Sequence, residues 1–251
     1  MTNDQTEALI ARLTAMADDE LILAHRDSEW TGHAPILEED IALANLAQDE
    51  LGHATTIYGL LETLTGKSPD QFVFFRDAAG FRNIQLVELP KGDWAFTMLR
   101  QFLFDAYEHV LYNALMSSTY QPLADVVAKF RGEEMYHLRH SHLWVERLGL
   151  GTAESSGRMQ AALDVIWPYT MQFFLTMPGD EVLVSMGIFP EPSTLKNEWQ
   201  EIVLPHLKAS NLSVSQNSTM LMAQRTAHTP YLTDLLTDMQ QVTRLDPGAE
   251  W

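Results

Sequence analysis

Two copies of one short motif hold the side chains of this chain that are best suited to chemistry. Glu50 and His53 stand three positions apart, and Glu134 and His137 repeat that spacing. Both stretches have the residue pattern of helices, where side chains three positions apart share a face and lie about 5 to 6 Å from each other. One copy is common in helical proteins as a solvated glutamate beside a structural histidine. Two copies predict that carboxylates and imidazoles meet at a shared metal site.

A third carboxylate follows from the turn that precedes the first motif. The periodic pattern breaks at residues 31–35, which include a glycine and a proline. If this turn joins two antiparallel helices, residues at equal depth in the hairpin are equally distant from it. Reflecting Glu50 through the end of the turn, at Pro35, lands on Glu20, which is therefore predicted to face the first motif.

The fourth carboxylate follows in the same way from the second motif. Residues 117–122 predict a turn, with Pro122 suited to the start of the next helix. Reflecting Glu134 through this turn lands between Asp105 and Glu108. Asp105 is favoured because it lies nearer to the apolar face of its helix, while Glu108 points almost opposite. The predicted metal ligands are then Glu20, Glu50, His53, Asp105, Glu134 and His137.

The elements that must position these ligands are four helices, expected at about residues 5–26, 34–65, 93–116 and 122–148. The first and last pairs are joined by short turns, whereas residues 66–93 form a long connection. Two antiparallel hairpins linked by one long crossover make a four-helix bundle that can carry a di-metal carboxylate site. The predicted fold is all-α. It is one domain, residues 1–251, with a core bundle at about 5–148 and a C-terminal helical extension at about 152–251.

The extension is expected to hold three more helices. One begins near Ser155 or Ser156 and reaches the aromatic residues 167–174, where Pro168 kinks or ends it. Two others are predicted at residues 195–209 and 229–244, separated by a loop at 210–218. No alternating pattern is long enough to predict a sheet.

Composition narrows the classes of function. The chain has 251 residues with 34 acidic and 16 basic side chains, a formal net charge of −18. This charge repels a nucleic-acid backbone, so a DNA or RNA partner is not expected. The absence of cysteine excludes disulfides and thiolate metal sites and leaves oxygen and nitrogen ligands. Without an apolar run long enough to cross a membrane or a secretory signal, we expect no membrane partner and a cytoplasmic location.

Several residues near the motifs have two possible roles. Asp49 either orients a histidine ligand or is a surface charge, and Glu133 is a weaker candidate for a ligand. Tyr107, Tyr112 and Tyr136 lie on the predicted third and fourth helices. A redox-active tyrosine is conceivable among them, although buried tyrosines usually serve packing.

Several segments resemble the PaaC family of phenylacetate degradation. They are residues 28–35 (SEWTGHAP), 40–46 (DIALANL), 136–139 (YHLR) and 146–149 (ERLG), together with the terminal Trp251. The resemblance implies a ferritin-like subunit of the multicomponent phenylacetyl-CoA epoxidase. Its expected partner is a PaaA-like catalytic subunit that binds the di-iron centre, and self-association is a further possibility. In that family the C subunit is a structural partner that has commonly lost its metal ligands.

This sequence departs from that pattern because all six ligand positions are filled. The first hypothesis is therefore an epoxidase subunit that retains a di-metal centre, with iron favoured over manganese. The alternative hypothesis is a non-catalytic structural partner of the oxygenase subunit with no metal bound. An iron-storage cage is disfavoured by the residues that follow the fourth helix.

Overall fold

Four long helices form the centre of the computed structural model, which describes residues 1–215 and 218–249. They are α1 (Asn3–Ser28), α2 (Leu37–Thr65), α5 (Trp94–Leu115) and α6 (Gln121–Gly149). The ends lie within about three residues of the predicted ones. Trp251 and part of the predicted 210–218 loop lie outside the described residues.

Local sequence explains where these helices begin and end. The side chain of Thr2 accepts a hydrogen bond from the Gln5 amide at the start of α1, and Asp93 accepts one from the Phe96 amide at the start of α5. Helix α2 ends at Gly66, whose φ of 71° is the left-handed conformation that glycine adopts most easily. The predicted Asp93 and Gly66 caps are thus confirmed.

The connections follow the short, long, short order. Helix α1 packs along α2, and α5 packs along α6, so each short turn closes an antiparallel hairpin. The crossover between the hairpins contains α3 (Pro69–Val73), a 3₁₀ turn (Ala78–Gly80) and α4 (Gln85–Glu88). Two buried aspartates of α1 hold it in place, because Asp18 accepts hydrogen bonds from the side chain of Arg76 and the amide of Arg82, and Asp19 accepts one from the amide of Ile84.

The C-terminal part adds α7 (Ala153–Ile166), a 3₁₀ helix (Trp167–Phe174), α8 (Asp180–Ser185), α9 (Pro192–Ala209) and α10 (Pro230–Leu245). The predicted fifth helix changes to 3₁₀ geometry at Trp167, directly before the proline. Helices α7 and α9 cover α5 and α6, and the buried Trp199 donates its indole hydrogen to the carbonyl of Leu103 at 3.0 Å. Among the described helices, none combines the length and apolar character that a membrane span requires.

Candidate metal centre

All six predicted ligands meet in the interior of the bundle. Helix α1 supplies one carboxylate and α5 another, while α2 and α6 each supply a glutamate and a histidine one helical turn apart. None of these residues is more than 2% exposed, and they are Glu20, Glu50, His53, Asp105, Glu134 and His137. Six donor side chains on four helices, all withdrawn from solvent, form one polar cluster.

The donor atoms fall into two overlapping groups. One atom each from Glu20, Glu50, His53 and Glu134 lie within 4.8 Å of one another, and so do atoms from Glu50, Asp105 and His137. Glu134 links the groups too, since its Oε1 is 3.3 Å from Nδ1 of His53 and 3.6 Å from Nδ1 of His137. The two motif glutamates therefore lie between the two groups of donor atoms.

Six buried atoms of the cluster lack protein partners for hydrogen bonding. Buried atoms without a partner include an oxygen each of Glu20 and Glu50, both oxygens of Glu134, and Nδ1 of both His53 and His137. Buried polar atoms are normally satisfied, because an unpaired one costs free energy. Hard oxygen donors with two imidazole nitrogens match the preference of iron and manganese, so the residues present fit a pair of such ions.

The outward-facing nitrogen of each histidine is held by a carboxylate of the opposite helix. Nε2 of His53 is 2.8 Å from Glu133, and Nε2 of His137 is 3.2 Å from Asp49. Each contact fixes the ring and leaves Nδ1 directed at the cluster. The predicted orienting role of Asp49 agrees with this geometry. Glu133 has the matching role on the other side, which sequence reasoning missed.

Burial, with a smaller contribution from neighbouring carboxylates, raises the pKa values of two carboxyl groups of the cluster. Burial, together with the charges of Glu20 and Glu134, raises the pKa of Glu50 well above its usual value. Burial also raises the pKa of Asp105 to about 8, although His137 opposes the shift. These buried acids cannot all ionise together unless positive charge is close by.

A protonated His53 supplies part of the positive charge that these acids need. Burial alone would lower the pKa of His53, but the carboxylates of Glu20 and Glu134 raise it to about 11. Burial alone would raise the pKa of Glu20, but the charge of His53 and several hydrogen bonds lower it to about 2. A cluster that draws protons onto its histidines is one that attracts cations.

Helix α5 corrects one element of the sequence reasoning. Glu108 was expected to point away from the site, but it is 2% exposed, and its Oε1 is 3.1 Å from the hydroxyl oxygen of Tyr112, which donates to Glu20. The apolar face faces the C-terminal helices instead, as the contact of Phe102 with His206 of α9 illustrates. The bundle interior receives the polar stripe of α5, which comprises Gln101, Asp105, Glu108 and Tyr112.

Asp105 was predicted as a ligand because it lies near the apolar face of α5. It belongs to the cluster because it is part of the polar stripe that faces the bundle interior. Its two oxygens accept hydrogen bonds from Gln101 at 2.7 Å and from Ser141 at 2.6 Å. A polar residue at every third or fourth position of an otherwise apolar helix was the sequence signal that could have found Glu108 as well.

Two hairpins joined by a long crossover around a buried carboxylate and histidine cluster define the ferritin-like class of helical proteins. A solved structure shares this fold: a Synechococcus protein described as having aldehyde deformylating oxidase activity. It superposes with a TM-score of 0.62 over 84% of this chain and 93% of that chain, at 17% sequence identity.

Within this class, the chain belongs to the PaaA_PaaC family of phenylacetic acid catabolic proteins, whose model matches residues 1–251. It is 38% identical to the C subunit of the 1,2-phenylacetyl-CoA epoxidase of Escherichia coli (strain K12), over 97% of this chain and 99% of that protein. It is 26% identical to the A subunit of the same enzyme, over 69% of this chain and 56% of that protein. The predicted family and fold class are confirmed.

Proposed function

We propose that this chain is the C subunit of a phenylacetyl-CoA epoxidase complex of aerobic phenylacetate catabolism and that it holds a di-metal centre, most simply di-iron. The similarity to the C subunit of the E. coli enzyme, over almost the whole of both chains, supports the first part. The buried and unpartnered donor atoms of the two Glu-x-x-His pairs carry the second.

In this proposal each of the four bundle helices supplies ligands for two metal ions. Glu20, Glu50, His53 and Glu134 would hold one ion, Glu50, Asp105 and His137 would hold the other, and Glu50 and Glu134 would contribute to both. When bound, a pair of irons supplies the redox chemistry by which O2 is activated. The protein side chains position the ions and exclude water from them. Phe130 contributes to the exclusion, because its ring stacks on His53 with 3.9 Å between centroids.

The proposed partner is a PaaA-like oxygenase subunit. Similarity to the A subunit of the E. coli enzyme covers part of both proteins, as expected of related chains that assemble in one complex. We further propose that residues 1–251 form one domain in the cytoplasm. A continuous hydrophobic core, with members from α1 through α10, supports the single domain.

The test compares the metal content and the activity of matched variants. Glu50→Gln combined with Glu134→Gln removes both bridging carboxylates with little change of volume, and Glu62→Gln alters an exposed glutamate on the same α2 helix. We expect wild type and the control to bind close to two irons or manganese ions per chain, and the double variant to bind almost none. Elemental analysis after aerobic purification measures this directly.

Reconstitution with the oxygenase partner then separates the two hypotheses drawn from the sequence. If the double variant still joins the complex but epoxidation of phenylacetyl-CoA falls, the centre takes part in the reaction. An unchanged rate would favour the structural partner. A wild-type chain that binds only traces of metal, even when supplied with iron and manganese, would refute the proposed centre.

A further inference from the structure

The first donor group of the candidate centre consists of Glu20, Glu50, His53 and Glu134. Oε2 of Glu20 lies 3.5 Å from Nδ1 of His53, and Oε1 of Glu134 lies 3.3 Å from the same nitrogen. Within the described part of the chain, none of these three atoms has a hydrogen-bond partner. Their lone pairs are therefore free for an ion.

The second donor group, Glu50, Asp105 and His137, is arranged by the amide of Gln101. The amide nitrogen of Gln101 donates to Oδ1 of Asp105 at 2.7 Å and to Oε1 of Glu50 at 3.1 Å. That Glu50 oxygen lies 3.6 Å from Nδ1 of His137. Ser141 donates to the other oxygen of Asp105 at 2.6 Å. One amide thus fixes two carboxyl groups of this group relative to each other.

Packing alone does not explain an amide at position 101. Gln101 is fully buried, and its carbonyl oxygen has no hydrogen-bond partner among the described residues. A buried acceptor without a partner lowers stability, and an apolar side chain of similar length would avoid that cost. The two hydrogen bonds that Gln101 donates to candidate ligands give the amide a purpose.

The two donor groups also differ in the charge that they offer an ion. The first group contains the carboxyl groups of Glu20, Glu50 and Glu134, whereas the second contains those of Glu50 and Asp105. A carboxylate a few ångströms from a divalent ion attracts it strongly. Because Glu50 belongs to both groups, an ion in the first group also neutralises charge that a second ion would use. The two ions should therefore bind with unequal affinity.

We propose that the two ions bind in order, the first to the group that contains Glu20 and the second to the group that contains Asp105, and that Gln101 is a positioning residue for the second ion. This inference rests on the proposed function, because it concerns the ions of the proposed centre. Gln101 acts through Asp105 and Glu50, whose carboxyl groups it holds in place before the second ion binds. Without these hydrogen bonds, binding of the second ion must itself order both groups.

The experiment titrates the metal-free full chain with Mn(II) and follows it by electron paramagnetic resonance. The sharp signal of free Mn(II) measures the unbound metal and hence the number of ions bound and their affinities. Two Mn(II) ions that share carboxylate ligands are magnetically coupled, whereas a single bound ion is not. The spectra therefore distinguish chains with one ion from chains with a pair.

Four variants separate the two binding steps. Gln101→Met keeps a side chain of similar length without its donors, and Ser141→Ala removes the other hydrogen bond to Asp105 with a smaller change. Tyr112→Phe removes the hydrogen bond from the Tyr112 hydroxyl group to the first donor group. Gln121→Met replaces an exposed glutamine on α6 and is the matched control.

In wild type, the first equivalent of Mn(II) should give uncoupled ions, and coupled pairs should appear with the second equivalent, which binds at least about tenfold more weakly. Gln101→Met and Ser141→Ala should weaken the second ion by roughly 10 to 100-fold and leave the first unchanged. Tyr112→Phe should weaken the first ion instead. Gln121→Met should match wild type.

Three results would overturn this inference and leave the proposed metal centre standing. They are coupled pairs from the first additions of Mn(II) to wild type, Gln101 and Ser141 variants that weaken both ions alike or neither, and a Tyr112 variant that weakens only the second ion. A wild-type chain that binds fewer than two ions at saturation overturns the proposed pair as well. The count of bound ions distinguishes this failure from the other three.

Discussion

The carboxyl group of Asp105 links the electrostatics of the candidate centre to the stability of the fold. Burial raises its pKa from 3.8 to about 8, with the charge of His137 acting against the shift and that of Glu134 adding to it. Because the pKa is higher in the folded protein, the unfolded chain gives up this proton first. The resulting stabilisation is fully present below about pH 4 and is lost as the pH rises towards about 8.

The magnitude follows from the interval between the two pKa values. Within it, each pH unit changes the free energy of unfolding by about 1.4 kcal/mol for one proton. The free energy of unfolding of the metal-free protein should therefore fall by on the order of 4 kcal/mol between about pH 4 and about pH 7 through this group. The decrease is smaller where neighbouring carboxyl groups take up the proton instead.

Asp105→Asn removes the titration while keeping the hydrogen bonds. The amide oxygen still accepts from Gln101, and the hydroxyl group of Ser141, which now donates to Asp105, can rotate to accept from the new amide nitrogen. The exposed Asp234→Asn on α10 is the control.

Urea unfolding in the presence of a chelator measures the effect. Between about pH 5 and about pH 8, Asp105→Asn should gain roughly 2 to 4 kcal/mol relative to wild type. Added metal should reduce this difference in the free energy of unfolding, since a ligand at a hundred times its Kd stabilises the protein that binds it by about 2.7 kcal/mol. Parallel pH curves for wild type and Asp105→Asn would refute the reasoning.

Three further predictions concern the contacts around the centre and the packing of the C-terminal part. Asp49→Asn and Glu133→Gln should each weaken metal affinity by roughly 10 to 100-fold, because they release the histidine of the opposite helix; competition with a metal-binding dye measures it, and unchanged affinity for both would contradict the role. Gly149→Ala should destabilise the fold by about 1 to 3 kcal/mol, because its Cβ would lie 2.2 Å from the carbonyl oxygen of Ser210. Gly157→Ala, within a helix and with open space around it, should instead stabilise by roughly 0.5 to 1 kcal/mol in thermal or urea unfolding.

The sequence predicted the parts of the site that depend on local helix geometry. Glu20 could be found by reflection, because straight antiparallel helices keep residues at equal distances from a turn at equal depth. The positions of Glu50 and His53 followed from one helical turn. Each of these inferences needs only two neighbouring helices and the short turn between them.

The parts that sequence reasoning missed depend on which elements surround a helix. The polar side of α5 faces the bundle because α7 and α9 cover its apolar side, whereas the sequence reasoning assumed that the apolar side faces the bundle. Glu108 was therefore misplaced. Glu133 was missed for a related reason, since its contact with His53 joins residues 80 apart in the chain. Such contacts follow from packing rather than from periodicity.

Each motif has, next to its glutamate, the carboxylate that orients the histidine of the other motif. This arrangement couples metal binding to folding. The residue before Glu50 holds the histidine of α6, and the residue before Glu134 holds the histidine of α2, across 88 and 80 positions of sequence. Neither hairpin by itself provides a bridging glutamate, a histidine and the acceptor that orients that histidine. A complete ligand set forms only when α2 packs against α6, so metal affinity and the docking of the two hairpins should rise and fall together. Loss of either supporting carboxylate should then weaken both, even though the ligands themselves are unchanged.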